Sequence, residues 1–230
     1  MTFRILTIFP DFFQGPFQYG VVAKAAEFGL LQIHIHDLRT WTHDRHRTVD
    51  DRPFGGGEGM LLKPAPIFDA VESIWPERQP NQRIILLSAQ GQRFTQEAAR
   101  RLSGYDELLL ICGRYEGVDE RVAEHLADEE LSIGDFVLSG GELAAALVLD
   151  CVARLLPGVL GNQDSTLHES FAGAAGEASL LDCPQYTRPA EFRGWKVPEV
   201  LLSGNHEEIR NWRRQAARDK TAKNRPDLLQ

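Results

Sequence analysis

Four glycine-bearing segments concentrate the residues of this 230-residue chain that could meet a ligand: 50–60 (DDRPFGGGEGM), 88–92 (SAQGQ), 112–117 (CGRYEG) and 132–142 (SIGDFVLSGGE). Glycine lets a backbone approach a ligand closely and adopt positive φ. No Gly-Lys-Ser/Thr follows any of them and none spells G-x-G-x-x-G, so neither a nucleotide phosphate loop nor the dinucleotide fingerprint is present. One such loop would ordinarily be a turn. Three in the same half, each beside a strand end, point to a ligand held by main-chain amides and carbonyls at the carboxyl edge of an α/β sheet, with no phosphate cradle. An adenosine-like molecule fits that description.

Other chemistry-bearing residues are less telling when read alone. Glu116 reads as a surface carboxylate, Glu169 as a solvated carboxylate, and Arg154 as a helix C-terminal cation offsetting the macrodipole. Ile133, Val137 and Leu138 read by type as ordinary core. His43 and His46 sit in an Arg-rich loop with Arg45, Arg47 and Asp50 but lack an HExxH or Cys partner for zinc. Cys112, Cys151 and Cys183 are odd in number and far apart, which is neither a disulfide framework nor a metal CxxC pair; a reducing, cytoplasmic location is expected.

The elements that must hold these loops are legible. The N-terminal run reads as a first strand, being short for a signal peptide and interrupted by Arg4. RIILL (83–87) and ELLLICG (107–113) are strand-like; Thr95 N-caps a helix to Leu102, and a helix covers 119–126. The stretch 132–141 reads as extended, and Ser139 with Glu142 has the S-x-x-E form of a capping box opening a helix over 142–155. Alternating short strands and helices predict an α/β domain with a largely parallel sheet. The expected organisation is that domain over 1–160, a mobile linker or lid over 161–176, and a small, mainly helical domain over 177–230 with Asn205 as a helix N-cap. No stretch approaches the roughly 18 apolar residues of a membrane span.

Net charge is −8, yet 188–225 carries ten Lys/Arg against five Asp/Glu. A basic segment on an acidic body is the asymmetry expected of a part that docks on phosphate, and equally of a solvated helical face. The candidates among its cations are Arg188, Arg210, Arg213, Arg214, Arg218, Lys220, Lys223 and Arg225.

In order and across nearly the whole chain, DDRPFGGGEGM, LSAQGQ, LLICGRYEGVDERV, LSIGDFVLSGGELAAALVLDCVARLLPGVLGN, CPQYTRP and VPEVLLSGNHEEIRNWR resemble the bacterial tRNA (guanine-N1)-methyltransferases, members of the SPOUT class. The resemblance implies a trefoil-knotted parallel-sheet domain and a homodimer with active sites at the subunit interface. It also implies S-adenosylmethionine as methyl donor, help from magnesium, and methylation of the guanosine at tRNA position 37. Matched position by position, Leu87, Ser88, Gly113, Tyr115, Glu116, Ile133, Gly134, Phe136, Val137, Leu138, Gly140 and Gly141 correspond to the family's donor pocket. Arg154 matches an arginine that contacts the target guanine, and Arg188, Arg210, Arg213, Arg214, Arg218 and Lys220 become candidates for RNA contact. The family's general base is an aspartate in a D-S-F triplet; here the triplet is Glu169-Ser170-Phe171, with Asp164 and His168 as nearby competitors. Ala89 and Ala144 replace usual prolines, and Phe136 a frequent tyrosine. The rival readings are a relative that methylates a ribose 2′-oxygen and a tRNA binder silenced by the change at 169.

Overall fold

Leucine- and isoleucine-rich runs build one five-stranded sheet in the computed structural model, which describes residues 1–161, 169–172 and 180–229. The chain divides into two compact units, Met1–Gly161 and Asn162–Gln230.

In the first unit, β1 (Thr2–Thr7), β2 (Gln32–Asp37), β5 (Gln82–Arg93), β6 (Glu107–Cys112) and β7 (Glu129–Ser132) lie in the order β2-β1-β6-β5-β7. Every pairing in this sheet is parallel. Two short strands, β3 (Asp50–Asp51) and β4 (Leu61–Leu62), form a separate antiparallel pair. Side chains alternate across a strand, so a sheet covered on both faces needs apolar residues at consecutive positions. Phe3, Ile5, Ile85, Leu87, Leu108 and Leu110 pack beneath α1 (Gly20–Glu27), α3 (Gln96–Leu102) and α5 (Glu142–Ala153). Leu6, Ile84, Leu86, Leu109 and Ile111 pack on the other face, against α2 (Pro64–Ile74) and α4 (Glu120–His125). Thr95 caps α3 as expected, its hydroxyl accepting from Ala98 N–H at 3.2 Å.

Two departures from expectation shape the site. β5 runs past 87, and both Leu87 and Gln92 pair with Leu131, so 88–91 bulge out opposite one residue. The stretch 132–141 is not an extended strand: β7 stops at Ser132, whose hydroxyl donates to Gly134 C=O at 3.0 Å, and the chain bends on.

The capping box is also absent. Gly141 is the N-cap of α5, and no side chain caps it. Glu142 is fully buried and its carboxylate is engaged elsewhere. It accepts from Thr7 Oγ1 at 2.7 Å and pairs with Arg114 Nε at 2.9 Å. Arg114 also donates to Ser139 C=O at 3.1 Å and lies over the Phe9 ring. One carboxylate therefore ties the end of β1, the loop after β6 and the start of α5.

The second unit holds a hairpin, β8 (Glu191–Phe192) and β9 (Trp195–Lys196), turned by Arg193 and Gly194 at φ 54° and 82°. It also holds α6 (His206–Asn224), capped by Asn205 as expected. Thr221, buried on α6, accepts from Leu181 N–H at 2.9 Å and fixes the segment entering the unit. No helix among the described residues is long and apolar enough to cross a membrane.

Arg114→Ala strands the buried Glu142 carboxylate without its cation and should cost about 3–5 kcal/mol of stability. The urea midpoint should fall at unchanged m-value, and Glu142→Gln, which retains a partner for Thr7, should cost less. On β2, His36 is held neutral by burial first, then by the charges of Arg4 and His34, which lower its pKa to about 4. The unfolded chain binds that proton below about pH 6.5 and the folded one does not, so stability should fall as pH drops from there towards 4. In His36→Phe, urea midpoints measured across that range should show a flatter limb.

Candidate functional site

A cavity of about 370 Å³ opens where three loops of the first unit meet at the carboxyl ends of β5, β6 and β7. The bulge after Leu87 supplies Ser88 and Gln90, the loop after β6 supplies Gly113 to Val118, and the bent stretch before α5 supplies Ile133, Gly134 and 136–141. All twelve positions that the resemblance assigned to a donor pocket line this one cavity.

Glycines let the three loops close on one another. A Cβ on Gly141 would stand 2.7 Å from Cys112 Cα, and Gly141 N–H instead donates to Gly113 C=O at 2.9 Å. Arg114 and Gly140 form an antiparallel bridge. A Cβ on Gly59 would come within 2.6 Å of the Glu116 carboxylate, so the GGGEG loop rests directly on that side chain. Glu116 N–H donates to Met60 C=O at 3.0 Å. Tyr115 takes φ 61°, a left-handed value that non-glycine residues hold only where the surroundings enforce it.

The core reading of Val137 fails. Its side chain is 88% exposed at the cavity wall, and only Ile133 of the three packs against the core. The main-chain N–H and C=O groups of Val137 and Leu138, which line the cavity, bond to no other described residue and so remain available for hydrogen bonds.

The electrostatics are one-sided. Among the described residues, Glu116, Glu120 and Glu130 line the cavity, and the one lining cation, Arg114, is committed to Glu142. A phosphate would find no free positive group among these residues, whereas a cationic ligand would find carboxylates. Cys112, beneath the loops, has its thiol pKa pushed well up by burial and then by the Glu142 charge, so it stays protonated. These features fit S-adenosylmethionine: free main-chain edges for adenine, and acidic walls for a sulfonium and an ammonium. No group of three His, Cys, Asp or Glu among the described residues could hold a metal ion, so no ligand set for magnesium is identified.

Neither of the two residues assigned to chemistry is among the residues that line this cavity. Arg154 is the C-cap of α5, at the far end of that 12-residue helix from Gly141. At 1.5 Å per residue the separation is about 20 Å. Glu169 belongs to the second unit. Its neighbours are tied down: Phe171 N–H donates to Leu180 C=O at 3.0 Å, Asp182 N–H donates to Ser170 Oγ at 3.0 Å, and Arg225 lies over the Phe171 ring. The triplet is thus a pinned turn. Asp164, His168 and most of the expected linker lie outside the described residues.

Arg188, Arg210, Arg213, Arg214, Arg218 and Lys220 are exposed and have no carboxylate partner among the described residues. Arg210, Arg214 and Arg218 follow one another at four-residue spacing along one ridge of α6. Arg225 is different, because it pairs with Asp227 at 2.6 Å and packs on Phe171. The Arg-rich loop near 45 is also internally bonded, with Asp44 accepting from Thr48 and His46, and Arg47 reaching Asp37.

Sequence reasoning did not single out Arg114, although it lies inside the quoted CGRYEG block; its partner Glu142 is distant in sequence and was assigned to a local cap.

A family model described as tRNA (guanine-1)-methyltransferase TrmD matches residues 1–230. A tRNA (guanine-N(1)-)-methyltransferase of Koribacter versatilis (strain Ellin345) is 58% identical, over 100% of this chain and 92% of its own. Proteins of the same description from Dehalococcoides mccartyi (strain ATCC BAA-2266 / KCTC 15142 / 195) and Bacillus cereus (strain B4264) are 52% and 49% identical, each over 100% of this chain and 91% and 92% of their own. The chain belongs to the tRNA (guanine-1)-methyltransferase family.

Proposed function

We propose that this protein methylates N1 of guanosine at position 37 of tRNA, working as a homodimer in the cytoplasm, with the methyl donor in the cavity of the first unit. The observation that carries the donor assignment is the convergence of all twelve assigned positions on one acidic cavity with free main-chain edges. S-Adenosylmethionine supplies, when bound there, a methyl group on a positively charged sulfur. The close passage of Gly140 and Gly141 against 112–114 supports the trefoil knot that the family resemblance implies.

Guanine N1 is a neutral lactam nitrogen and a poor nucleophile until its proton leaves. Glu169 takes that proton: it is a carboxylate like the aspartate it replaces, and its reach grows by a methylene. Arg154 stabilises the negative charge that develops on the base oxygen as N1 is deprotonated. Holding the reactants in line contributes about 7–11 kcal/mol and the positioned base about 10²–10⁴-fold.

The placement of Arg154 supports the dimer. Within one chain it sits at the opposite end of α5 from the cavity, so the partner subunit's Arg154 serves the site. Leu143 and Leu147 are 56% and 40% exposed on the same stripe of α5 that ends at Arg154. Such a stripe on a helix calls for a partner. The exposed arginines of the second unit take the tRNA phosphates, and the target base leaves its stack to expose N1.

Labelled donor and a tRNA carrying guanosine at position 37 test this directly. Wild type should form 1-methylguanosine, identified by mass spectrometry of the digested nucleosides. Glu169→Ala should lower turnover about 10²–10⁴-fold with donor affinity intact, and Arg154→Ala should likewise depress turnover far more than donor binding. A methyl group on a ribose oxygen, or binding of both substrates without transfer, would overturn the proposal. Leu147→Asp should shift the protein to monomer in light scattering and abolish turnover together with the dimer.

A further inference from the structure

The second unit contains a cavity of its own, about 390 Å³, within the range of small-ligand sites at about 300–1,000 Å³. Its apolar walls are Val197, at the base of the hairpin, Leu201, and Ile209 of α6. One rim is the irregular segment 184–188, which includes Tyr186, half exposed and in tilted contact with Trp212. Two cations, Arg188 and Arg213, complete the lining.

Two independent observations say what this slot takes. The main-chain N–H and C=O groups of 185–188 form no hydrogen bond with any described residue, so an extended row of donors and acceptors borders the apolar walls. Arg188 and Arg213 have no carboxylate partner among the described residues, so positive charge stands beside the same rim. A flat, apolar-faced group with a hydrogen-bonding edge and an attached anion satisfies all three features at once. An aliphatic peptide side chain leaves the arginines unused, and a duplex is too wide for the slot.

We propose that this cavity is a second nucleotide site, which takes one unpaired base of the tRNA other than the target guanine. The base packs between Leu201 and Ile209 with its edge against the main chain of 185–188, and its phosphate lies on Arg188 and Arg213. Single-stranded bases splayed from a loop are what proteins read in RNA, because paired bases hide their edges. The site would act as an anchor setting the register of the tRNA. The inference rests on the tRNA reading of this unit given above.

The test uses the full-length protein and a tRNA transcript carrying guanosine at position 37. Tyr186→p-benzoylphenylalanine should crosslink to a single unpaired nucleotide, identified by sequencing of the adduct. Ala190→Trp, which fills the slot, should weaken tRNA binding about tenfold, the scale of one lost stacked base. Val197→Phe should act in the same direction, so the result does not hang on one variant. Affinity for S-adenosylhomocysteine, which probes the first unit, should not change. Crosslinks spread along a stem, crosslinks to protein alone, or unchanged tRNA affinity in both filled variants would overturn the inference. These failures are separable from failure of the methyltransferase reading: wild type that methylates normally while the filled variants bind tRNA normally sinks only the second site, and a unique crosslink without methyl transfer sinks only the reaction.

Discussion

The site in the first unit depends on a carboxylate taken out of water. Glu142 is fully buried, and such a charge is tolerable only if it is paired and hydrogen-bonded. Thr7 and Arg114 meet both conditions, and each comes from a different part of the chain. Position in the helix helps as well: Glu142 is the first residue of α5, where the dipole favours negative charge. The consequence reaches beyond stability. Arg114, held by Glu142 and over Phe9, carries the CGRYEG loop with it and grips Ser139 C=O, so two of the three cavity walls are set by one ion pair. The same engagement takes the only lining cation among the described residues out of service, and the cavity is left acidic.

That clamp also explains what could and could not be read from the residues. The parallel sheet was legible because strands buried on both faces must be apolar at consecutive positions, as IILL (84–87) and LLLIC (108–112) are. The glycine loops were legible as cavity walls because they recur at strand ends. The S-x-x-E signal misled for a definite reason: a capping box is a local bargain, and Glu142 found stronger partners 135 and 28 residues away. Arg114 stayed hidden because its role exists only in that tertiary pairing. The bulge at 88–91 was equally invisible, since the two residues that share Leu131 are separated by the loop itself. Val137 misled by type; a valine beside a bend is core or wall according to the turn of the backbone.

A net charge of −8 concealed two surfaces of opposite charge. The first unit lines its cavity with carboxylates, and the second presents arginines without carboxylate partners among the described residues. Uniform charge could not serve both, because walls basic enough for phosphate would repel a sulfonium. Arg225 marks a boundary in the basic segment: its pairing with Asp227 and its place over Phe171 make it part of the frame. Counting cations along a segment therefore overstates the number left without a carboxylate partner.

The pinned turn at Glu169 bears on the one departure at the position assigned to proton transfer. If the triplet hung free, the difference between glutamate and aspartate would be absorbed by backbone movement at little cost. Ser170 and Phe171 are instead tied to Asp182 and Leu180, and Phe171 holds φ 66°, so the backbone that carries Glu169 has little room to retreat. The extra methylene must then be accommodated by the rotamers of Glu169 itself, or by the acceptor base sitting about one bond length further out. Productive displacement needs the reacting atoms within about 3–3.5 Å and in line. A site built this way should therefore be more sensitive to the length of the residue at 169 than to the small difference in basicity between the two acids.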